Sequence, residues 1–404
     1  MNDVEAHRRK LDSPEWSEEL LENLPGVEKA TYGIVEPGPY HPGGVPLLQA
    51  GGITDGALRM EPDLFIAPEI HRRHRRTELS PGDVVLVVVG RFGAAAVVGV
   101  EHSDWNVARS VGVVKINEAG REHRIGQWIR FWLKTPEARR WCESQMSKAA
   151  QSTLKVGALR RVSIPLPPRA VRESILDRLE VIDQKIAVNA RLAAVAGELA
   201  DALFHNWRQS GPGREMSLCG EVAEIEGGVS DVAAYAASRQ LPGVAHVAPQ
   251  EILQSSLPYL VGLTGRTSAD PRELEEVPGL LVATKTGVMK TVRAMGPAVP
   301  KRGAVVVRPR TDGDGLWLFH ELRTQGELLL AQDRRRQPRE LSRAAFSRIS
   351  VAWPDADVRE GFARVAGPLH RRAVTAMREN AVLATLADTT LREVRAAGSG
   401  PLRS

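Results

Sequence analysis

The chain is predicted to be an α+β protein built from two mixed, strand-rich domains, each followed by a long helix. Three observations carry that expectation. Apolar residues fall at Ile175, Leu179, Ile182, Ile186, Leu192, Val195, Leu199 and Leu203, in steps of three and four apart from a gap at Asn189. This is the spacing of an amphipathic helix with a coiled-coil-like seam. A second series runs through Val358, Phe362, Val365, Leu369, Ala373, Met377, Asn380, Leu383, Leu386 and Leu391. The segments ahead of the two series hold β-branched runs such as Asp83 to Gly90 and Gly303 to Val307, which favour strands.

In chain order, Ser13-Pro14-Glu15 followed by Glu18-Glu19-Leu20-Leu21 reads as a short capped helix stopped by Pro25-Gly26. Strands are expected at Asp83 to Gly90, Ala95 to Val100 and Val111 to Ile116, and helices at Ile125 to Lys134 and Pro136 to Ser147. Pro165, Pro167 and Pro168 suit the approach to the first long helix but not its interior, and Ser210-Gly211-Pro212-Gly213 ends it. Leu280 to Ala283 and Gly303 to Val307 repeat the strand theme, and Pro354 precedes the last helix. Each helical stretch is about 40 residues, on the order of 60 Å long. Gly367-Pro368 within the second predicts a kink or a restart.

Asn189-x-x-Leu192 recurs as Asn380-x-x-Leu383, and Ile164-Pro165 as Trp353-Pro354. The chain therefore reads as globular, helix, globular, helix, over 1–167, 168–210, 211–354 and 355–396, with a flexible tail at 397–404. A polar residue inside an apolar seam fixes register, so Asn189 and Asn380 are the expected helix-register residues. His205 and Trp207 are expected to pack where the first helix meets a domain, and Trp16, Trp105, Trp128 and Trp132 to be core.

With 404 residues, 43% hydrophobic and 25% charged, the chain has the make-up of a folded protein of two or three domains. Its longest apolar run, Val84 to Val89, falls far short of the roughly 20 residues of a membrane-spanning helix, so no membrane partner and a cytoplasmic location are expected. Cys142 and Cys219 have no neighbouring cysteine or metal-spaced histidine, which indicates neither a disulfide framework nor a metal site. The formal charge of +5 favours an anionic partner such as double-stranded DNA.

Several short motifs occur in a set order. They are Tyr32-Gly33-Ile34 with Pro37-Gly38, Gly44-Val45-Pro46-Leu47-Leu48, Gly51-Gly52-Ile53, Pro81-Gly82-Asp83-Val84-Val85-Leu86, Gly90-Arg91-Phe92-Gly93 and Asn106-Val107-Ala108-Arg109. The half closes with Leu154 and Ile164-Pro165-Leu166-Pro167-Pro168. The second half opens on Leu218-Cys219-Gly220-Glu221-Val222-Ala223 with Gly227-Gly228. There Lys301-Arg302-Gly303-Ala304-Val305 replaces the Gly-Asp motif without its aspartate, and the second glycine motif is missing. In this order, nearly the whole chain resembles the specificity subunits of type I restriction-modification systems. The resemblance implies two target-recognition domains, each reading one half of a bipartite DNA site. They are separated by two long antiparallel helices that act as a coiled-coil spacer. It further implies two adenine-N6 methyltransferase subunits bound to those helices and a motor-nuclease subunit that joins for restriction.

No Gly-x-x-x-x-Gly-Lys-Ser/Thr loop occurs, no Asn/Asp-Pro-Pro-aromatic tetrapeptide and no Gly-x-Gly-x-x-Gly fingerprint. The chain is therefore expected to be non-catalytic and to need no cofactor. Pro62-Asp63 with Glu69 only faintly resembles a nuclease carboxylate pair, since no lysine follows Glu69.

His71-Arg72-Arg73-His74-Arg75-Arg76 reads either as a phosphate clamp formed by Arg72, Arg73, Arg75 and Arg76 or as a solvated charged face. Arg334, Arg335 and Arg336 form a similar cluster. Arg91 lies in a tight turn from which it can reach a phosphate or a guanine edge. Arg109, Gln151, Ser152 and Lys155 are further candidate DNA contacts, with Lys285, Lys290 and Arg293 as their candidates in the second half. The alternative reading is a coiled-coil scaffold or an orphan phage-defence DNA-binding adaptor with the same fold.

Overall fold

The computed structural model describes residues 3–54, 56–62, 64–89, 93–146, 152–210, 216–231, 234, 245–255, 257–260, 279–285, 288–294, 298–331 and 342–398. Its contacts divide the chain into two units, Met1–Asp183 with Leu386–Ser404, and Gln184–Thr385. Helices and sheets are mixed in both, so the α+β class holds.

In the first unit the valine run forms β5 (Val84–Val87), inside an antiparallel sheet ordered β2 (Val27–Tyr32), β8 (Val111–Ile116), β5, β6 (Ala95–Val97). Val84 and Leu86 pack with Val114, Ile125, Trp128 and Phe131, while Val85 and Val87 pack with Leu48, Val107, Val111 and Val113 on the other face. A strand buried on both faces has no polar side to show, which is why it reads as a continuous apolar run. The turn ahead of it is held by Asp83. Its fully buried carboxylate accepts from the backbone N–H groups of Ser80 and Ile116 at 2.8 and 3.0 Å and pairs with Lys115. Helices α3 (Ile125–Leu133) and α4 (Pro136–Ser144) follow, the second capped by Thr135.

The short helix expected over Ser13 to Leu21 is absent. Ser17–Leu20 is instead strand β1, antiparallel to β9 (Ser163–Leu166), and the helix lies earlier, as α1 (Asp3–Leu11). The serine cap and the glutamates are weak local signals. Pairing with β9 supplies a ladder of backbone hydrogen bonds and leads into a fully buried seat for Leu21, and tertiary pairing of this kind overrides local propensity.

The second unit repeats this topology. Its sheet runs β11 (Ala223–Gly227), β17 (Ala304–Pro309), β14 (Leu280–Lys285), β15 (Val288–Ala294), with a short edge strand β13 (Tyr259–Leu260) added parallel to β15. Individual bonds recur as well. Trp128 Nε1 donates to the Pro165 carbonyl at 2.7 Å, and Trp317 Nε1, on α6 (Asp312–Thr324), to that of Ala352 at 2.8 Å. The parallel pair β3 (Val45–Leu48) and β7 (Asn106–Val107) has its counterpart in β12 (Ala245–Val247) and β16 (Ala298–Pro300). Ile34 N donates to Val107 O and Arg109 N to Ile34 O, both at 2.8 Å; Val229 N donates to Pro300 O at 2.9 Å and Arg302 N to Val229 O at 3.0 Å. At each crossing a glycine permits close backbone approach. A Cβ on Gly33 would stand 2.0 Å from Val107 O, and one on Gly228 2.1 Å from Lys301 O. Arg109 and Arg302 are thus equivalent positions.

The two long helices are α5 (Arg169–Ser210, 42 residues) and α7 (Ala356–Gly398, 43 residues). Pro368 lies inside α7 without a restart. Within the second unit the helices pair antiparallel: Ala193 and Ala196 cluster with Ala373, Val374 and Met377, and Ala200 and Phe204 with Phe362 and Ala366. Within the first, Ile175, Leu176 and Leu179 join Leu391 and Val394 in the core around Trp128.

Past Asn189 the inward face departs from the expected series. It comprises Ala193, Ala196, Ala200 and Phe204, whereas Val195, Leu199, Val365 and Leu386 are 44, 48, 45 and 51% exposed. Asn189 is itself an inward residue, so treating it as a gap shifts the phase of the residues after it. Alanines on the inward face let the backbones approach closely. His205 is also exposed, bonded to Gln209 Nε2 at 2.7 Å, while Trp207 packs against the helix-pair core.

Candidate nucleic-acid interface

In the first unit Pro68 starts helix α2 (Pro68–Arg73), and a single tight turn, Arg75–Thr77, comes after it. The two histidines and the four arginines of this run face different surroundings. His71 is half-buried, its Nε2 3.4 Å from Glu78 Oε2 and its Nδ1 3.3 Å from Asn106 Nδ2, and the His74 carbonyl accepts from the same Asn106 nitrogen at 3.2 Å. These bonds anchor the segment to β7. Arg72, Arg73, Arg75 and Arg76 all point to solvent. Arg72 bonds Glu69 at 2.9 Å, and the other three make no side-chain hydrogen bond or ion pair among the described residues. The backbone N–H of Glu69 at the helix start, and then Arg72, hold the Glu69 carboxyl below its ordinary range.

At the other end of β7 a cleft of about 900 Å³ opens between Tyr32, Val35, Val89, Arg109, Leu154 and Lys155. Two bridges shape it, Ile34 with Ala108 and Val89 with Thr153. Arg109 and Lys155 are exposed at its mouth, Ser152 is exposed nearby in sequence, and Tyr32 and Val35 are 44 and 52% exposed. The arrangement offers cationic heads for an anionic backbone beside aromatic and aliphatic surface suited to stacking or to methyl contact. Tyr32 and Val35 were not singled out as contacts from sequence, although Tyr32 belongs to the first of the ordered motifs.

Arg91, Gln151, Arg334, Arg335 and Arg336 lie outside the described residues, as does the side chain of Lys285, whose backbone closes β14. Lys290 is half-buried and donates from Nζ to the Ser255 carbonyl; burial and then Arg323 push its pKa down. Arg293 is half-buried and already engaged. In the second unit Lys301 and Arg302 are exposed and occupy the positions of Ala108 and Arg109. By sequence Lys301-Arg302 stand in the place of the Gly82-Asp83 motif; the hydrogen-bond pattern corrects this and puts them at the Ala108-Arg109 position, because the strand that follows them pairs as β8 does, not as β5.

Asn189 and Asn380 meet within the second unit, both buried, with Asn189 Nδ2 donating to Asn380 Oδ1 at 2.9 Å. Cys142 and Cys219 are buried thiols whose pKa values burial pushes up to about 12. Among the described residues no cluster of three His, Cys, Asp or Glu side chains is disposed to hold a metal, and no helix is long and apolar enough to cross a membrane.

No family model matches the chain. The type I restriction enzyme EcoBI specificity subunit of Escherichia coli is 28% identical over 181 residues, which is 44% of this chain and 37% of that protein. The match thus spans well under half the length of the curated relative. Among solved structures, the S subunit of a type I restriction-modification system from M. genitalium is 13% identical with a TM-score of 0.46, covering 95% of this chain and 96% of that one. The HsdS subunit from Thermoanaerobacter tengcongensis is 16% identical with a TM-score of 0.36, covering 94% and 96%. These superpositions are too loose to carry weight. Over the matched 181 residues the chain is similar to the specificity subunit of a type I restriction enzyme.

Proposed function

We propose that this chain is a non-catalytic, sequence-specific DNA-binding subunit that recognises a bipartite target and recruits catalytic partners. The observation that carries the reading is the cleft of the first unit, where Arg109 and Lys155 stand beside exposed Tyr32 and Val35. Cations there neutralise phosphates and release counterions, while the ring and aliphatic surface meet base edges. The exposed arginines of α2, Arg72 and Arg73, add further cations to the first unit. In the second unit Lys301 and Arg302 supply equivalent charges, so residues 1–167 and 211–354 are taken as two reading heads and the stretches 168–210 and 355–396 as their spacer.

The partners of this reading are double-stranded DNA, two adenine-N6 methyltransferase subunits and a motor-nuclease subunit, in the cytoplasm. Val188, Val195 and Leu199, 61, 44 and 48% exposed on the outer side of α5, give a partner subunit an apolar surface to cover. The chain needs no cofactor of its own. The test is to map N6-methyladenine in host DNA with and without the gene, and to assay the purified chain with S-adenosylmethionine, ATP and magnesium. Split methylated sites that vanish with the gene, and an inert chain that binds DNA, are expected. Methyl transfer by the chain alone would overturn the reading.

A further inference from the structure

Two histidines that no sequence pattern singles out lie end to end inside the second unit. His320 on α6 is 0% exposed and His370 on α7 is 2% exposed, with their Nε2 atoms 2.9 Å apart. Beyond them, His320 Nδ1 is 2.6 Å from Asp201 Oδ1 on α5, and His370 Nδ1 is 2.6 Å from the hydroxyl of Tyr259 on β13.

With uncharged imidazoles, one placement of protons satisfies all three contacts. The Asp201 carboxylate only accepts, so His320 donates from Nδ1. Its Nε2 is then an acceptor, so His370 donates from Nε2. That leaves His370 Nδ1 to accept from the Tyr259 hydroxyl. Each group fixes the proton of the next.

The chain of bonds joins elements that are distant in sequence. The Tyr259 ring lies among Ala193 and Ala196 of α5 and Ala373 and Met377 of α7, so the edge strand of the sheet is inserted against the helix pair. Gly197 makes room beneath it, since a Cβ there would stand 3.0 Å from Pro258 Cγ. Charged groups surround the relay on every packed element. Asp201 also accepts from Arg323 Nε at 2.9 Å, Arg208 of α5 pairs with buried Glu321 of α6 at 2.8 Å, and Arg293 and Lys290 approach from β15. Asp201 has the most solvent access of the four, and lines a cleft of about 290 Å³ with Lys290, Thr291 and Arg323.

We propose that Asp201, His320, His370 and Tyr259 form a positioning relay that seats the edge of the second unit's sheet on its helix pair, and that acid loosens this seat. The proposal is independent of what the unit binds. A proton added to His320 reverses donor and acceptor at every contact from there to Tyr259, and places a positive charge in a buried site beside Arg293 and Arg323. Burial first, and then these neighbours, hold His370 down to about 2; burial also lowers His320, opposed by Asp201. His370 is therefore neutral in the folded unit and His320 is shifted toward its neutral form, whereas unfolded histidine titrates near about 6.5. Their contribution is present in full above that value and is lost as pH falls below it, by about tenfold in the folded-to-unfolded ratio per pH unit for His370.

Two-bond ¹H–¹⁵N spectra of the full chain labelled at histidine test the relay without any substitution. The expected result is an Nδ1–H tautomer for His320 and an Nε2–H tautomer for His370, neither titrating between about pH 7.5 and 5.5. The opposite tautomers, or titration of either ring near about 6.5, overturn the proposal. A second measurement addresses the seat. In Tyr259→Phe, amide exchange at Arg293, whose N–H bonds the Pro258 carbonyl at 2.9 Å, should quicken about tenfold, while the amides inside α6 keep their protection. Unchanged exchange at Arg293 removes the positioning role. Neither measurement involves DNA, so a failed DNA-binding assay and a failed relay are told apart.

Discussion

Asn189 and Asn380 bond side chain to side chain across the helix pair, Nδ2 to Oδ1 at 2.9 Å, from positions only 3 and 8% exposed. The remaining hydrogens are also placed: Asn189 Nδ2 reaches Glu379 Oε2 at 2.8 Å and Asn380 Nδ2 reaches the Ile186 carbonyl at 3.1 Å. Around them the inward face is made largely of alanines, which grip one another weakly along the helix axis. A slide of one turn would leave two buried amides without these partners.

If that pair sets the register, Asn189→Leu and Asn380→Leu should each destabilise the second unit by about 1–3 kcal/mol, because each leaves a buried amide unsatisfied. The double variant should cost less than the sum, since both amides are then gone. Denaturant unfolding of the four proteins measures the coupling; strict additivity would mean that the contact does not matter.

Replacing Arg72, Arg73, Arg75 and Arg76 with alanine should weaken binding to all DNA sequences alike. The slope of log affinity against log salt should flatten by about 0.9 for each phosphate that is no longer neutralised. Preference among sequences should survive. Titrations at several salt concentrations decide it, and an unchanged slope would return these arginines to the status of a solvated surface.

Arg109→Ala and Arg302→Ala form a matched pair, because the two residues close equivalent hydrogen-bond patterns. Each should reduce affinity for the cognate site by roughly tenfold, within the range of single protein–DNA contacts. Each should do so at its own half-site, read by methylation of sites mutated in one half. Thermal stability should not move, since both side chains are exposed. Equal loss on every DNA, cognate or not, would reduce both to phosphate contacts.

The outward apolar residues of α5 make the fourth case. Val188→Lys, Val195→Lys and Leu199→Lys together should leave the purified chain folded, because all three are exposed, and should abolish co-purification with a methyltransferase partner. Pull-down and circular dichroism test the two halves of that statement. Retained partner binding would place the docking surface elsewhere.

Much of this protein is fixed by local pattern. The valine run, the helical periodicities and the prolines ahead of them determine which stretches become strands and which become long helices, because burial on two faces or on one stripe leaves a periodic trace. The repeated Asn-x-x-Leu motif likewise marked two residues that meet. Tertiary structure alone decided the rest. Ser17–Leu20 became a strand because β9 offered it a partner. Ala193, Ala196 and Ala200 turned inward in place of Val195 and Leu199 because close backbone approach favours small side chains over more apolar ones. The equivalence of Arg302 with Arg109, and the meeting of His320 with His370, depend on contacts between residues far apart in the chain, and such contacts leave no spacing for a sequence to show.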